Sequence, residues 1–428
     1  MRDLSTAQLV LHPPENRGSV VRLAASLVET DGSRQRLWWE LPLSVTDAVT
    51  AWADPWIVAL LFPIMQRRRA VHIKGRVSPS LLTNLDRFMH IWAAWYPDKY
   101  HPVELTTDEP VEQPAPTHPD VAVASFSCGL DSCFTVYRHV RGLAGRHSQR
   151  VGLGVMQHGF DIRLDQENAA GMFRNLVSDA TVMLESLSVP CVPMTTNFRL
   201  LDLDWADAYG TQLVAGMMLL SRGYDMGLVA NDLPYFELSP KPWGHHPVTS
   251  ALLGSDRFRI VDDGFESSRV EKAKVVAAWP EAMRHLRVCF GVENPGSHEN
   301  CGVCDKCIRT QLAFRIAGCA TPSSLQEPSP RAIKRVRITA STRATWSLLA
   351  DRAESAGFGR SAWARAMRTA LRRNQYREWR TKLQRPFLPV RSAVRRLTRG
   401  ADISRSEMKR LAEAKAARAN APASAKDK

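Results

Sequence analysis

Three stretches of strand composition, Ala7–His12, Val20–Val28 and Gln35–Leu41, open the chain, and Ala53–Gln66 and Ser78–Trp95 follow with helical periodicity. Ser78-Pro79 supplies an N-cap and a first-turn proline for the second helix. Residues 1–106 therefore read as an α+β N-terminal domain. Its aromatics, Trp38, Trp39, Trp52, Trp56, Trp92, Trp95 and Tyr96, read as core and interface packing rather than a binding surface. Thr107–Asp120, with four prolines and little to bury, predicts an extended linker.

From Val121 the apolar blocks alternate between strand and helix lengths. Val121–Phe126 reads as a strand running into a tight Ser-Cys-Gly turn and then a helix. Val151–Met156 precedes a helix over Asn168–Glu185, Val189–Val192 precedes Trp205–Ser221, and Gly227–Ala230 leads through a long loop to Arg257–Val261 and a helix over Glu266–Ala278. Such alternation predicts an α/β fold, a parallel sheet with helices on both faces, binding ligands at the carboxyl ends of its strands. Beyond Thr321 the pattern becomes a basic helical extension, with helices at Ser341–Ala356 and Ser361–Trp379, a break at Gln384–Pro389, and an Ala/Lys-rich end, Ala412–Lys428, expected to be frayed or disordered.

Charge sharpens this division. The 428 residues carry a net +14, but Arg331–Lys428 holds 26 Lys+Arg against 7 Asp+Glu, while the preceding 330 residues hold 31 against 36. The tail is a solvated basic face or a surface for nucleic acid, an acidic protein partner or an anionic membrane. No apolar run reaches membrane-span length, and the first residues lack a signal-peptide core. A cytoplasmic protein is expected.

The turn after Val121–Phe126 aims backbone N–H groups and a helix N-terminus at an anion, but it lacks the Gly-Lys-Ser/Thr of a Walker loop. Two other loops carry unusual chemistry for connectors. Gln157-His158-Gly159 directly follows a strand, and Asn231–Pro247 combines Asn231, Asp232, aromatics and the pair His245-His246 where a substrate would be covered. Gln157, His158, Asn231, Asp232, His245 and His246 are therefore candidate substrate-loop residues.

Cys301, Cys304 and Cys307 stand at metal-ligand spacing. A fourth ligand must come from Cys289 or Cys319, each separated from the trio by eleven residues. A helix from Asp305 to Ala317 carries Cys319 about three turns from Cys307, so Cys289, returning through the Glu293–Asn300 loop, is expected to complete the set. Zinc is the natural occupant, and an iron–sulfur cluster is the competing one.

Ser127-Cys128-Gly129-Leu130-Asp131-Ser132 resembles the Ser-Gly-Gly-x-Asp-Ser loop of the N-type ATP pyrophosphatases, or PP-loop enzymes, with Cys128 replacing one glycine. Together with the cysteines, residues 121 to about 318 resemble the 7-cyano-7-deazaguanine synthase family, whose zinc knuckle has four cysteines. Cys304-Asp-Lys-Cys307-Ile-Arg309 is similar to that family's Cys-x-x-Cys-x-x-Arg, with the arginine one residue early. Arg269-Val-Glu271-Lys272 is similar to its Lys-x-Glu segment. The resemblance covers roughly half the chain. It implies a PP-loop fold binding ATP, Mg²⁺ and Zn²⁺, and a ligase that adenylates a small-molecule carboxylate, releases pyrophosphate and transfers the acyl group to ammonia or an amine. It assigns Ser127, Cys128, Gly129, Leu130, Asp131 and Ser132 to the nucleotide, Asp131, Arg269 and Lys272 to catalysis, and Cys289, Cys301, Cys304 and Cys307 to the metal. Rival expectations are a tRNA-modifying PP-loop enzyme and a catalytically silent adapter. Cys128 costs ~1 kcal/mol or more if the turn needs a positive φ, and is simply a small residue if it does not.

Overall fold

A strand buried on both faces must lie inside a sheet, and the run Val121–Ser125 is buried at every position. The computed structural model describes residues 6–201, 203–235, 238, 244–289, 299–340 and 342–384. In chain order its first part contains β1 (Ala7–Arg17), β2 (Val20–Val28), β3 (Arg34–Pro42), α1 (Asp54–Arg67), β4 (Val71–Val77), α2 (Pro79–Trp95) and β5 (Leu105–Pro110). Next come β6 (His118–Ser125), α3 (Leu130–Val140), β7 (Arg150–His158), α4 (Ala169–Glu185), β8 (Cys191–Thr196), α5 (Trp205–Met218), β9 (Tyr224–Ala230) and β10 (Arg259–Asp263). The helices α6 (Arg269–Val276), α7 (Pro280–His285), α8 (Asp305–Ile316), α9 (Pro330–Arg335), α10 (Arg343–Ser355) and α11 (Ala362–Gln384) complete it.

The ten strands form one sheet in the order β10-β9-β6-β7-β8-β3-β2-β1-β4-β5. Its first five strands are all parallel. Taken in chain order they are wound 3-2-1-4-5, which puts the reversal of winding between β6 and β9. Connections leave these two strands toward opposite sides, opening a crevice at their carboxyl ends. The loops beginning at Phe126 and Asn231 flank it.

The expected boundary at residue 106 does not divide the fold. β3 pairs antiparallel with β8 through Trp39↔Thr196 and Glu40↔Thr195, and a single apolar core includes Trp39, Phe62 and Trp92 together with Val123, Val155 and Met217. α1 is buried at every residue from Asp54 to Met65 and packs against α5; a helix apolar on all sides has to be enclosed. Trp39, Trp56 and Trp92 are buried in this core, as expected for packing residues. The chain through Met367 forms one compact unit and the chain from Arg368 a second. α9 and α10 belong to the first, anchored by buried Ile333, Trp346 and Leu349, so the extension expected from 321 begins as part of the main body. Gln384 ends α11, and the remainder of the expected break at Gln384–Pro389, with the Ala412–Lys428 end, lies outside the described residues. Among those described, no helix is long and apolar enough to cross a membrane.

Nor is Thr107–Asp120 a free linker. It supplies the end of β5 and the start of β6, and between them Gln113 is only 3% exposed. Gln113 Nε2 donates to Asp54 Oδ2 (2.9 Å), while its Oε1 accepts from Thr50 Oγ1 (3.0 Å) and Ser221 Oγ (2.8 Å). Asp54 also accepts from the backbone N–H and hydroxyl of Ser78, at 2.9 and 2.6 Å. Burial still raises its carboxyl above the usual range despite these bonds. Polar groups so enclosed depend on each other for their hydrogen bonds. Gln113→Ala is expected to lower stability by about 2 kcal/mol or more by stranding these partners, as measured by urea unfolding; a loss within about 0.5 kcal/mol, the range of ordinary surface substitutions, would contradict the network.

Candidate active site and four-cysteine cluster

The crevice at the winding reversal is where the loop Ser127–Ser132 lies. Gly129 is the N-cap of α3, and the Ser127 N–H and Ser132 Oγ are 3.2 Å apart across the turn. Cys128 has φ +56°, so the strained alternative holds: a residue with a β-carbon occupies the left-handed region. Its side chain is fully buried, with Sγ 3.9 Å from the Leu176 carbonyl, and burial pushes the thiol well above its ordinary pKa. The sulfur thus serves as core packing. The Cys128 carbonyl accepts a 2.8 Å hydrogen bond from the Arg287 N–H.

Asp131, in the first turn of α3, meets Lys272 Nζ at 3.0 Å and Arg269 Nη1 at 3.6 Å. Burial opposes ionisation of Asp131, but the two cations more than offset it and hold the carboxyl below its usual range. Lys272 is completely buried and also donates to the Asn231 carbonyl. Arg269 is 8% exposed and donates to Thr310 Oγ1 (2.9 Å) on α8. Both cations sit at the start of α6, which begins three residues later than its periodicity suggests, because Ser268 and Glu271 form a reciprocal capping box there. The three expected catalytic residues therefore converge from α3 and α6. The same crevice is lined by Asp161, Asp232, Arg287, Lys306 and Arg309.

The fourth cysteine is Cys289, as expected. The sulfurs of Cys289, Cys301, Cys304 and Cys307 all lie within 4.8 Å of one another, with Cys301 and Cys307 Sγ 3.9 Å apart. Zinc–sulfur bonds near 2.3 Å require tetrahedral edges of about 3.8 Å, so the cluster could hold zinc. The Cys304 N–H donates to Cys301 Sγ (3.3 Å) and the Cys307 N–H to Cys304 Sγ (3.5 Å), an arrangement that favours thiolate acceptors. Hydrogen bonding with Cys289 pushes the Cys304 thiol up to about 12, and the same partner raises Cys307. A bound dication inverts this tendency.

The cluster and the crevice share their scaffold. Arg287 lies two residues before Cys289, and Cys304 is the N-cap of α8, which carries Lys306, Arg309 and Thr310. Three of the crevice cations are therefore positioned by segments that the cysteines draw together.

The six expected substrate-loop residues separate into groups. Asp232 lines the crevice, while Asn231 is buried and accepts from Lys272 through its carbonyl. Gln157 does not: its Oε1 accepts from Trp39 Nε1 (3.2 Å) and its Nε2 donates to the Leu213 carbonyl (3.4 Å), which makes it a core residue. His158 is buried and stacked 4.5 Å from Phe173, and burial lowers its pKa to about 4, keeping it neutral. His245 lies between the Tyr209 hydroxyl (3.2 Å) and Asp262 (3.7 Å). His246 packs edge-on against Trp95 of α2. Residues 236, 237 and 239–243 of that loop, and most of the expected Glu293–Asn300 return loop, lie outside the described residues.

Sequence reasoning missed Arg287, Asp161, Lys306 and Thr310. Three had a local signal, since Arg287 lies two residues before Cys289 while Lys306 and Thr310 lie within or just after the cysteine spacing. Asp161 had none. No protein-family model, curated protein or solved structure matches the chain.

The φ at Cys128 has a measurable consequence. At ordinary positions glycine is less stable than alanine; here the order reverses, and Cys128→Gly is expected to exceed Cys128→Ala in stability by about 1 kcal/mol. Denaturant unfolding of both variants checks it, and a more stable alanine variant would refute the left-handed turn.

Proposed function

We propose that the chain is a cytoplasmic, ATP-dependent ligase of PP-loop type, related to the 7-cyano-7-deazaguanine synthases. In this reading it adenylates the carboxylate of a 7-deazaguanine-like heterocycle and transfers the acyl group to ammonia or an amine. The observation that carries the reading is the convergence, at the reversal of sheet winding, of the Ser127–Ser132 turn with the Asp131–Lys272–Arg269 cluster. The cysteine-bearing segment is joined to the same turn through Arg287.

A carboxylate oxygen attacks the α-phosphorus, the bond to the bridging oxygen breaks, and pyrophosphate leaves with that electron pair. The amine nitrogen then attacks the activated carbonyl carbon and displaces AMP, releasing a proton. Ser127, Gly129 and Ser132 supply the turn for the β- and γ-phosphates. Arg269 and Lys272, held by Asp131, Thr310 and Asn231 before any ligand arrives, bear on the charge that develops on the leaving group; prior orientation is what gives such groups catalytic value. Asp131, Asp161 and Asp232 offer the oxygen donors that a phosphate-bound Mg²⁺ takes, and this ion would supply charge neutralisation. Zinc held by the four cysteines would be structural, fixing Arg287 and the start of α8.

The test combines metal analysis with a pyrophosphate-release assay using ATP, ammonia and a carboxylated 7-deazaguanine. Zinc without a visible absorption band, pyrophosphate release, and a loss of about 100-fold or more in Asp131→Asn are expected. A brown iron–sulfur protein would move the reading to a tRNA-modifying PP-loop enzyme. ATP binding without turnover on any carboxylated deazapurine would move it to a silent adapter.

A further inference from the structure

From Arg368 to Gln384, α11 carries six Lys or Arg against one Glu. Its Tyr376 and Trp379 are 60% and 58% exposed, with ring centroids 5.8 Å apart and planes at 35°. Arg372 and Arg380, one turn to either side of Tyr376, are exposed as well. The spacing of these four residues places them along one face of the helix. A solvated basic face accounts for the arginines but not for two large aromatic rings left together in water. Among the described residues, Tyr235 is the other aromatic so exposed.

We propose that this face of α11 binds single-stranded nucleic acid, with bases stacking on Tyr376 and Trp379 and phosphates meeting Arg372 and Arg380. Polyanion binding follows from the charge. The aromatic pair selects unpaired strands, because bases in a duplex are already stacked on one another and leave no free face for a side chain. A membrane-surface helix needs a broad apolar face, whereas the exposed positions between 372 and 380 are Arg372, Gln375, Tyr376, Arg377, Trp379 and Arg380. An acidic protein partner would use the charge and leave the rings unexplained. This surface is independent of the ligase reading and stands or falls separately from it.

Fluorescence anisotropy of the full chain with labelled oligouridylate and oligothymidylate of about 20 nucleotides, a duplex of the same length, and phosphatidylserine vesicles tests the assignment. Both single strands are expected to bind more tightly than the duplex. The double variant Tyr376→Ala, Trp379→Ala should weaken single-strand binding about tenfold or more, while Tyr376→Phe, Trp379→Phe retains it. Replacing Arg372 and Arg380 by Gln should make the dependence of log affinity on log salt shallower by about 1.4, as expected for two lost phosphate contacts. Unchanged helicity by circular dichroism shows that the variants remain folded. Absence of single-strand binding by the native chain, an alanine double variant that binds as the native chain does, or vesicle binding that depends on the two aromatics while oligonucleotides do not bind, would each overturn the proposal.

Discussion

A lysine ammonium with no exposure to solvent must find its partners inside the protein, and Lys272 finds them in the Asp131 carboxylate and the Asn231 carbonyl. These groups come from the first turn of α3, the end of β9 and the first turn of α6. One buried charge therefore fixes three elements around the carboxyl ends of β6 and β9. Arg269, about one turn before Lys272 on the same helix, extends the cluster to Thr310 on α8. Removing the Asp131 carboxylate would leave Lys272 buried without its counter-ion, a change that costs about 3–5 kcal/mol.

The cysteine cluster lies on the segments that carry Arg287, Lys306 and Arg309 into the crevice. Its four sulfurs bring the segment ending at Cys289 against the start of α8. The same segment donates from the Arg287 N–H to the carbonyl of Cys128, inside the strained turn. Cys128 contributes a buried thiol to the core and accepts the left-handed backbone in return. The turn and the cysteine-bearing segment are thus one structural assembly, although Cys128 and Arg287 lie 159 positions apart in the chain.

Much of this was legible in the chain because it depends on local pattern. The buried runs of the parallel strands, the helix over Asp305–Ile316 and the choice of Cys289 over Cys319 all follow from spacing. What escaped was decided by partners far away. Gln113 looks like a linker residue until Thr50, Asp54 and Ser221 enclose it, and two residue pairs between β3 and β8 merge what composition alone separates. Gln157 looks functional at a strand end, yet Trp39, 118 residues earlier, claims its side chain. The left-handed φ of Cys128 lay between two open alternatives, because a glycine-rich motif with one cysteine does not state whether the turn has changed shape.

We propose that the crevice is a phosphate site, one wall of which is set by the segments that carry the four cysteines. Isothermal titration of ATP with Mg²⁺ into the zinc-loaded native chain and its Arg287→Gln variant tests this most directly. Binding by the native chain is expected, with affinity about tenfold weaker or more in the variant, the scale of one lost charge-assisted hydrogen bond, and with thermal stability retained. Equal affinity in the two proteins would contradict it.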